Sequence, residues 1–202
     1  GSYPEGNITL QGDASIFGGV TGRNTGTVAV ITLTSMPVID ATKSKLTVGG
    51  AVGANEAIIT QIVAKDLKFA KFSGYRYLGG ITGTNGGSGK TTAGVSDCVY
   101  SGTMTEKTGA AGNCYGGIAG INYATLSGCE ITKITMEIKG VYTATSTSTA
   151  AQKESLASHA GGITGKNETS ATITSCVIDN NPDSRISADY GMLGGVTGFN
   201  KG

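Results

Sequence analysis

One eight-residue phrase returns six times along the chain: Phe17–Asn24 (FGGVTGRN), Val48–Asn55 (VGGAVGAN), Leu78–Asn85 (LGGITGTN), Tyr115–Asn122 (YGGIAGIN), Ala160–Asn167 (AGGITGKN) and Leu193–Asn200 (LGGVTGFN). Each copy is an apolar residue, Gly-Gly, a small or aliphatic pair, Gly, a variable residue and Asn. The first glycines stand 31, 30, 37, 45 and 33 residues apart. A period of that size, kept while the spacers vary, marks a stacked repeat. Units this small cannot enclose an apolar core alone, so neighbouring units must share one.

The rest of each unit says what is stacked. After the Asn, a polar turn leads into a second apolar segment: Val28–Leu33, Ile59–Ala64, Val95–Tyr100, Leu126–Ile131 and Ile173–Ile178. Its fourth position holds Ile31, Ile62, Cys98, Cys129 and Cys176. Farther on, Lys133 and Thr135 alternate with Ile134, Met136 and Ile138, close to the period of two expected of strands. Glycine supplies 34 of the 202 residues, charged residues only 14 %, and Thr, Ser, Val and Ile are abundant. Such a chain is too poor in helix formers for a bundle and too poor in charge for typical disorder. The pattern predicts an all-β fold, a right-handed parallel β-helix (β-solenoid) of about five to six coils. It forms a single repeat domain over residues 1–202. Because the last phrase ends two residues before the chain does, and arrays are normally capped, the domain is expected to be a piece of a longer protein.

The phrase glycines are expected to permit positive φ and close backbone approach at the corners. The asparagines, stacked at one level, are expected to form an amide ladder, each donating to the next; a ligand-binding row of amides is the alternative.

The pieces Asp97–Gly102 (DCVYSG), Asn113–Asn122 (NCYGGIAGIN) and Leu126–Cys129 (LSGC) resemble the GLUG repeat, a Gly-Gly-aliphatic-x-Gly-x-Asn phrase followed by a strand containing Cys. The six phrases extend the resemblance over nearly the whole chain. It departs at the second copy, where Ala51-Val52 replaces the aliphatic-small pair and Ile62 stands in the Cys position. The resemblance implies a scaffold of bacterial cell-surface or secreted proteins, adhesin-like proteins and the non-catalytic region of some immunoglobulin A proteases among them. An extracellular or cell-surface location follows from it. It carries over no catalytic residue.

Charge and motif bound the chemistry further. A net charge of +1 gives no field to steer nucleic acid. No apolar run approaches the roughly 20 residues of a membrane span. Exchange of Cys with Ile at one repeat position reads as buried, free, stacked thiols, with Cys114 peripheral. The Cys spacing and the single His159 lack the close pairs of a zinc site, so no metal and no cofactor are expected. Gly86–Thr91 (GGSGKT) imitates a phosphate-binding loop but has Thr84 where that motif needs Gly, so it reads as a loop. Asp179–Ser184 lacks the Gly and the closing Glu of a calcium loop and reads as a solvated turn. His159 reads as a surface or ladder residue. The insert Thr143–Gln152 is expected to bulge from the stack, with one or two helical turns over Gln152–Ala157.

The densest aromatic-basic cluster, Lys68–Tyr77, offers Phe69, Phe72, Tyr75, Arg76 and Tyr77 as a glycan- or partner-binding surface, or as strand covering. Three functions compete. The first is a non-enzymatic stalk, spacer or adhesive segment, monomeric, facing a host or cell-surface glycan or protein. The second is a polysaccharide-active β-helix enzyme, which would need Asp66, Asp97 or Glu130 gathered with Lys68 or Lys133. The third is a glycan-binding module.

Overall fold

In the computed structural model the six phrases lie one above another. Strands Thr21–Asn24, Val52–Asn55, Thr82–Asn85, Ala119–Asn122, Thr164–Asn167 and Thr197–Asn200 form a six-stranded parallel sheet in which the phrase asparagines are register partners. The strands entering each phrase, Ile16–Gly18, Leu46–Gly49, Tyr75–Gly79, Cys114–Gly116, His159–Gly161 and Met192–Gly194, form a second parallel sheet. The apolar segments after each Asn build a third, nine-stranded sheet, and Asn7–Leu10 pairs with Val38–Ala41 in a two-stranded one. The described structure is almost entirely β, a parallel β-solenoid of about five turns. The structure describes residues 7–10, 15–36, 38–41, 45–73, 75–87, 89, 92–109, 111–140, 145 and 147–202.

The three glycines of the four inner phrases are required by contact rather than by φ, since no phrase glycine is among the positive-φ residues, whereas at Gly195 in the last phrase a Cβ would meet nothing within 4 Å. This corrects half of the expectation drawn from the sequence. A Cβ on the first glycine would strike its own coil: 1.9 Å from the Thr82 oxygen at Gly79, 2.0 Å from the Ala119 oxygen at Gly116. On the second glycine it would strike the next coil, 2.2 Å from the Gly117 oxygen at Gly80 and 2.3 Å from the Gly162 oxygen at Gly117. On the third it would meet the facing strand, 2.4 Å from the Tyr115 nitrogen at Gly165. The first two sheets therefore fold against each other around the Gly-Gly corner at a separation no side chain allows.

Inside, equivalent residues pile into columns. Val48, Leu78 and Tyr115 form one; Ala51, Ile81, Ile118 and Ile163 form another; Ile59, Val95 and Leu126 form a third, all buried. Burial of this kind contributes about 25 cal/mol per Å² of apolar surface, and here each inner coil supplies surface to two neighbours. The asparagines also stand as expected. Asn24, Asn55, Asn85, Asn122 and Asn167 each donate from Nδ2 to Oδ1 of the next, at 2.8–2.9 Å, ending on Asn200. The same amides close the corner by bonding carbonyls such as Ala57 at 2.9 Å and Thr125 at 3.0 Å. Cys98, Cys129 and Cys176 are free and share one level of the third sheet, with Cys98 and Cys129 buried.

Two features of the third sheet are not visible in the pattern. Just before that level every coil bends through a left-handed residue: Val30 (φ 55°), Gln61 (56°), Asp97 (52°), Gly128 (59°) and Ser175 (52°). The strands also run long, to Ser73, Thr108 and Ile138. In the last of these the register jumps from Tyr100/Ile131 to Ser101/Lys133. The bulge explains how Ile131 and Ile134, three residues apart, both point inward.

Candidate functional site

The aromatic-basic cluster does not form one surface. Phe69 is a core residue, only 4 % exposed, which corrects its assignment as a binding ring: pairing with Met104 turns its side chain inward. Phe72 and Tyr75 lie in strands Ile58–Ser73 and Tyr75–Gly79, but their side chains fall outside the described residues. Arg76 is exposed and Tyr77 half-buried, and the Arg76 guanidinium lies 5.2 Å from the centre of the Tyr77 ring.

Tyr77 belongs to an outer column of the entry sheet. Its register partners are Thr47 on one side and Cys114 on the other, followed by His159 and Met192. The stack thereby brings together Cys114 and His159, 45 residues apart in sequence, with Sγ 3.7 Å from Nδ1. Neither is peripheral. They are 3 % and 2 % exposed, and they adjoin a cavity of about 210 Å³ shared with Arg76, Tyr77, Tyr123 and Lys166.

The long spacer covers this column. Its helix, Ala150–Leu156, opens with a capping box in which Thr149 and Gln152 satisfy each other's backbone N–H groups. Gly112 N–H donates to the Leu156 carbonyl at 3.2 Å, which ties the helix end to the neighbouring coil. Glu154 on the helix pairs with Lys166 at 3.2 Å and Lys201 at 2.8 Å, and Lys166 also meets Glu168 at 2.7 Å. Phe199 lies beneath both lysines, its ring centre 5.4 Å from that of His159.

Burial governs the protonation of this site. It pushes the Cys114 thiol up to about 12, with Lys166 opposing, and lowers the His159 imidazole to about 4, with Lys166 adding to the effect. At neutral pH the pair is a thiol beside a neutral imidazole, not a thiolate–imidazolium pair primed for nucleophilic attack. Desolvation also raises Tyr77, and raises Tyr123 to about 12, so both phenols stay protonated. The pocket is rich in donors, and its two carboxylates, Glu154 and Glu168, are spent on lysines.

Elsewhere the candidates stay apart. Asp97 sits in the bend column, Glu130 in the column of Val99 and Val177, and Asp66 beside Ser101, so the three carboxylates share no level. Lys133 pairs with Asp183 at 2.9 Å. The Asp179–Ser184 segment is a turn in which Asn181 donates to the Thr132 carbonyl at 3.2 Å and accepts from Asp183 N–H at 3.0 Å. Among the described residues no group of three His, Cys, Asp or Glu side chains is placed to hold a metal ion. No helix among them is long and apolar enough to cross a membrane. Of the phosphate-loop look-alike, Ser88, Lys90 and Thr91 lie outside the described residues.

The Cys114–His159 meeting was missed in the sequence, yet a signal for it exists. Tyr77, Cys114, His159 and Met192 all stand two residues before a Gly-Gly pair. Extending the repeat alignment one residue upstream places them in one column. No family model, curated protein or solved structure matches this chain.

Proposed function

We propose that this chain is a non-enzymatic scaffold segment, a stalk or spacer at a bacterial cell surface or in a secreted protein. The observation that carries the proposal is the unbroken amide ladder through all six phrases, with buried columns alongside it. Such a molecule is held by repetition along its length and spends its regularity on shape. The location rests on the GLUG resemblance of its phrases. Two measurements test the reading. Antibodies to the chain are expected to label intact producing cells or their medium, and labelling only after permeabilisation would overturn the location. The purified chain is expected to release no new reducing or unsaturated sugar ends from a polysaccharide panel, and turnover would overturn the non-enzymatic role.

The pocket at Arg76 and Tyr77 favours a second reading in which the scaffold also binds a glycan. Two residues of the aromatic-basic cluster meet there with polar groups from three coils.

A further inference from the structure

The charges around the pocket do not cancel. The walls carry Arg76 and Lys166 against Glu154 and Glu168, and Lys201, which is not part of the walls, adds a third cation through its pair with Glu154. Lys166 lies between both carboxylates and Lys201 is held by Glu154, whereas among the described residues Arg76 has no carboxylate partner. Its field reaches inward all the same, acting on Tyr77 and on Cys114. One positive charge at the mouth is therefore unmatched.

The hydrogen-bonding groups show the same bias. Arg76 is donor-only. The Tyr77 and Tyr123 phenols lie together in the wall, both kept protonated by burial, and a protonated phenol can donate as well as accept. Deeper in, the Cys114 thiol faces Nδ1 of His159, while Nε2 has no partner among the described residues. A ligand suited to these walls brings acceptors and a single negative charge. The size is bounded too. About 210 Å³ lies below the roughly 300–1,000 Å³ of pockets for drug-sized molecules, so the occupant is about one ring in bulk.

We propose that this pocket binds a singly charged acidic sugar, its carboxylate held by Arg76 and its hydroxylated ring lying against Tyr77 and Tyr123 under the helix Ala150–Leu156. The proposal rests on the glycan-binding reading and names its ligand class. A planar guanidinium matches a carboxylate with two parallel hydrogen bonds. A phosphorylated sugar carries about −1.5 to −2 charges and would bring excess negative charge beside Glu154 and Glu168. A divalent cation would add to charge that is already positive. A neutral sugar leaves Arg76 unmatched.

The test is saturation-transfer and chemical-shift titration of the whole chain with glucuronate, glucose and glucose 6-phosphate. Glucuronate is expected to bind with a dissociation constant on the order of 1 mM, and the other two at least about tenfold more weakly. Arg76→Ala is expected to weaken glucuronate at least about tenfold. Because Arg76 is exposed, the melting temperature should be unchanged. Tyr123→Phe is expected to weaken binding by a smaller factor. Absence of glucuronate binding, equal binding of glucose, tighter binding of the phosphate, or indifference to Arg76→Ala would each overturn the assignment. Both variants are also run on a glycan array. Neutral glycans that bind with Arg76→Ala unimpaired would defeat the pocket while preserving glycan binding, and a silent array would defeat both.

Discussion

At Asn85 the side-chain amide donates to Asn122 Oδ1 and to the Thr125 carbonyl, and its own oxygen accepts from Asn55. Nothing but another primary amide at that level satisfies both neighbours, and water is excluded there. Asn85→Ala is therefore expected to cost about 2–4 kcal/mol, because the groups it leaves lose partners while buried. Asn200→Ala, at the exposed end, should cost under about 1 kcal/mol by the same reasoning. Denaturant unfolding of the two variants checks the contrast, and equal losses would contradict a ladder that stabilises by burial. His159 makes a pH prediction. Folding lowers its pKa from 6.5 to about 4, so between those values the unfolded chain holds a proton that the folded chain does not. Stability must fall as pH drops through that window and level off below it, by at most about 3 kcal/mol. Glu154 is held below its ordinary value of 4.5 by Lys201 and weakens the fold only at lower pH. Unfolding titrations at pH 7 and about pH 5 should thus separate the native chain from His159→Gln, which is expected to lose much of the acid sensitivity.

Among the elements, the bend of the third sheet is the one most at odds with its residues. Val30 is β-branched, 76 % exposed and left-handed at φ 55°, so it gains little burial in return for the strain. Gly128 fills the equivalent place without that cost. Val30→Gly is expected to stabilise the protein by about 0.5–1 kcal/mol, the left-handed penalty less the entropy that glycine adds to the unfolded chain. A lower denaturation midpoint would show the bend to be unstrained. The same element marks where sequence reasoning stops. Strands were legible wherever one kind of side chain repeated, as in Val28, Ile59, Val95, Leu126 and Ile173, whose alignment matches the register of the sheet. The bend has no such signature, since Val, Gln, Asp, Gly and Ser share no chemistry, only a torsion. Phe69 misled because an aromatic near lysines looks the same whether it faces in or out, and the bulges that set its face leave no mark in composition. The pocket was half legible: Arg76 and Tyr77 were named, but Cys114, Tyr123, His159 and Lys166 join them only through stacking across spacers of unequal length.

Over the whole molecule, burial is uneven along the axis. Leu78 and Ile81 in a central coil are fully buried, while Leu193 and Val196, their equivalents in the last coil, are 44 % and 49 % exposed. The cross-coil ion pairs Lys133–Asp183 and Lys139–Asp189 are solvent-exposed and contribute little. In a stack governed by nearest-neighbour contacts, such a gradient makes the end coil open first. Hydrogen exchange is expected to show the slowest amides in Leu78–Asn85, Val99–Met104 and Tyr115–Asn122, and exchange faster by an order of magnitude or more in Val177–Asn200. Uniform protection would mean that the chain unfolds in one step from every coil at once.

The amide column has one further property, its sense. Every nitrogen points toward the higher-numbered neighbour, so at Asn24 the oxygen accepts from its own chain at Gly26 N–H, and at Asn200 the nitrogen turns back to its own chain at the Gly202 carbonyl. A coil spliced between any two others meets a giver on one side and a taker on the other, with no redesign of its interior. Length is then a quantity that duplication can change freely, while inversion of a single cassette would set like against like and jam the row.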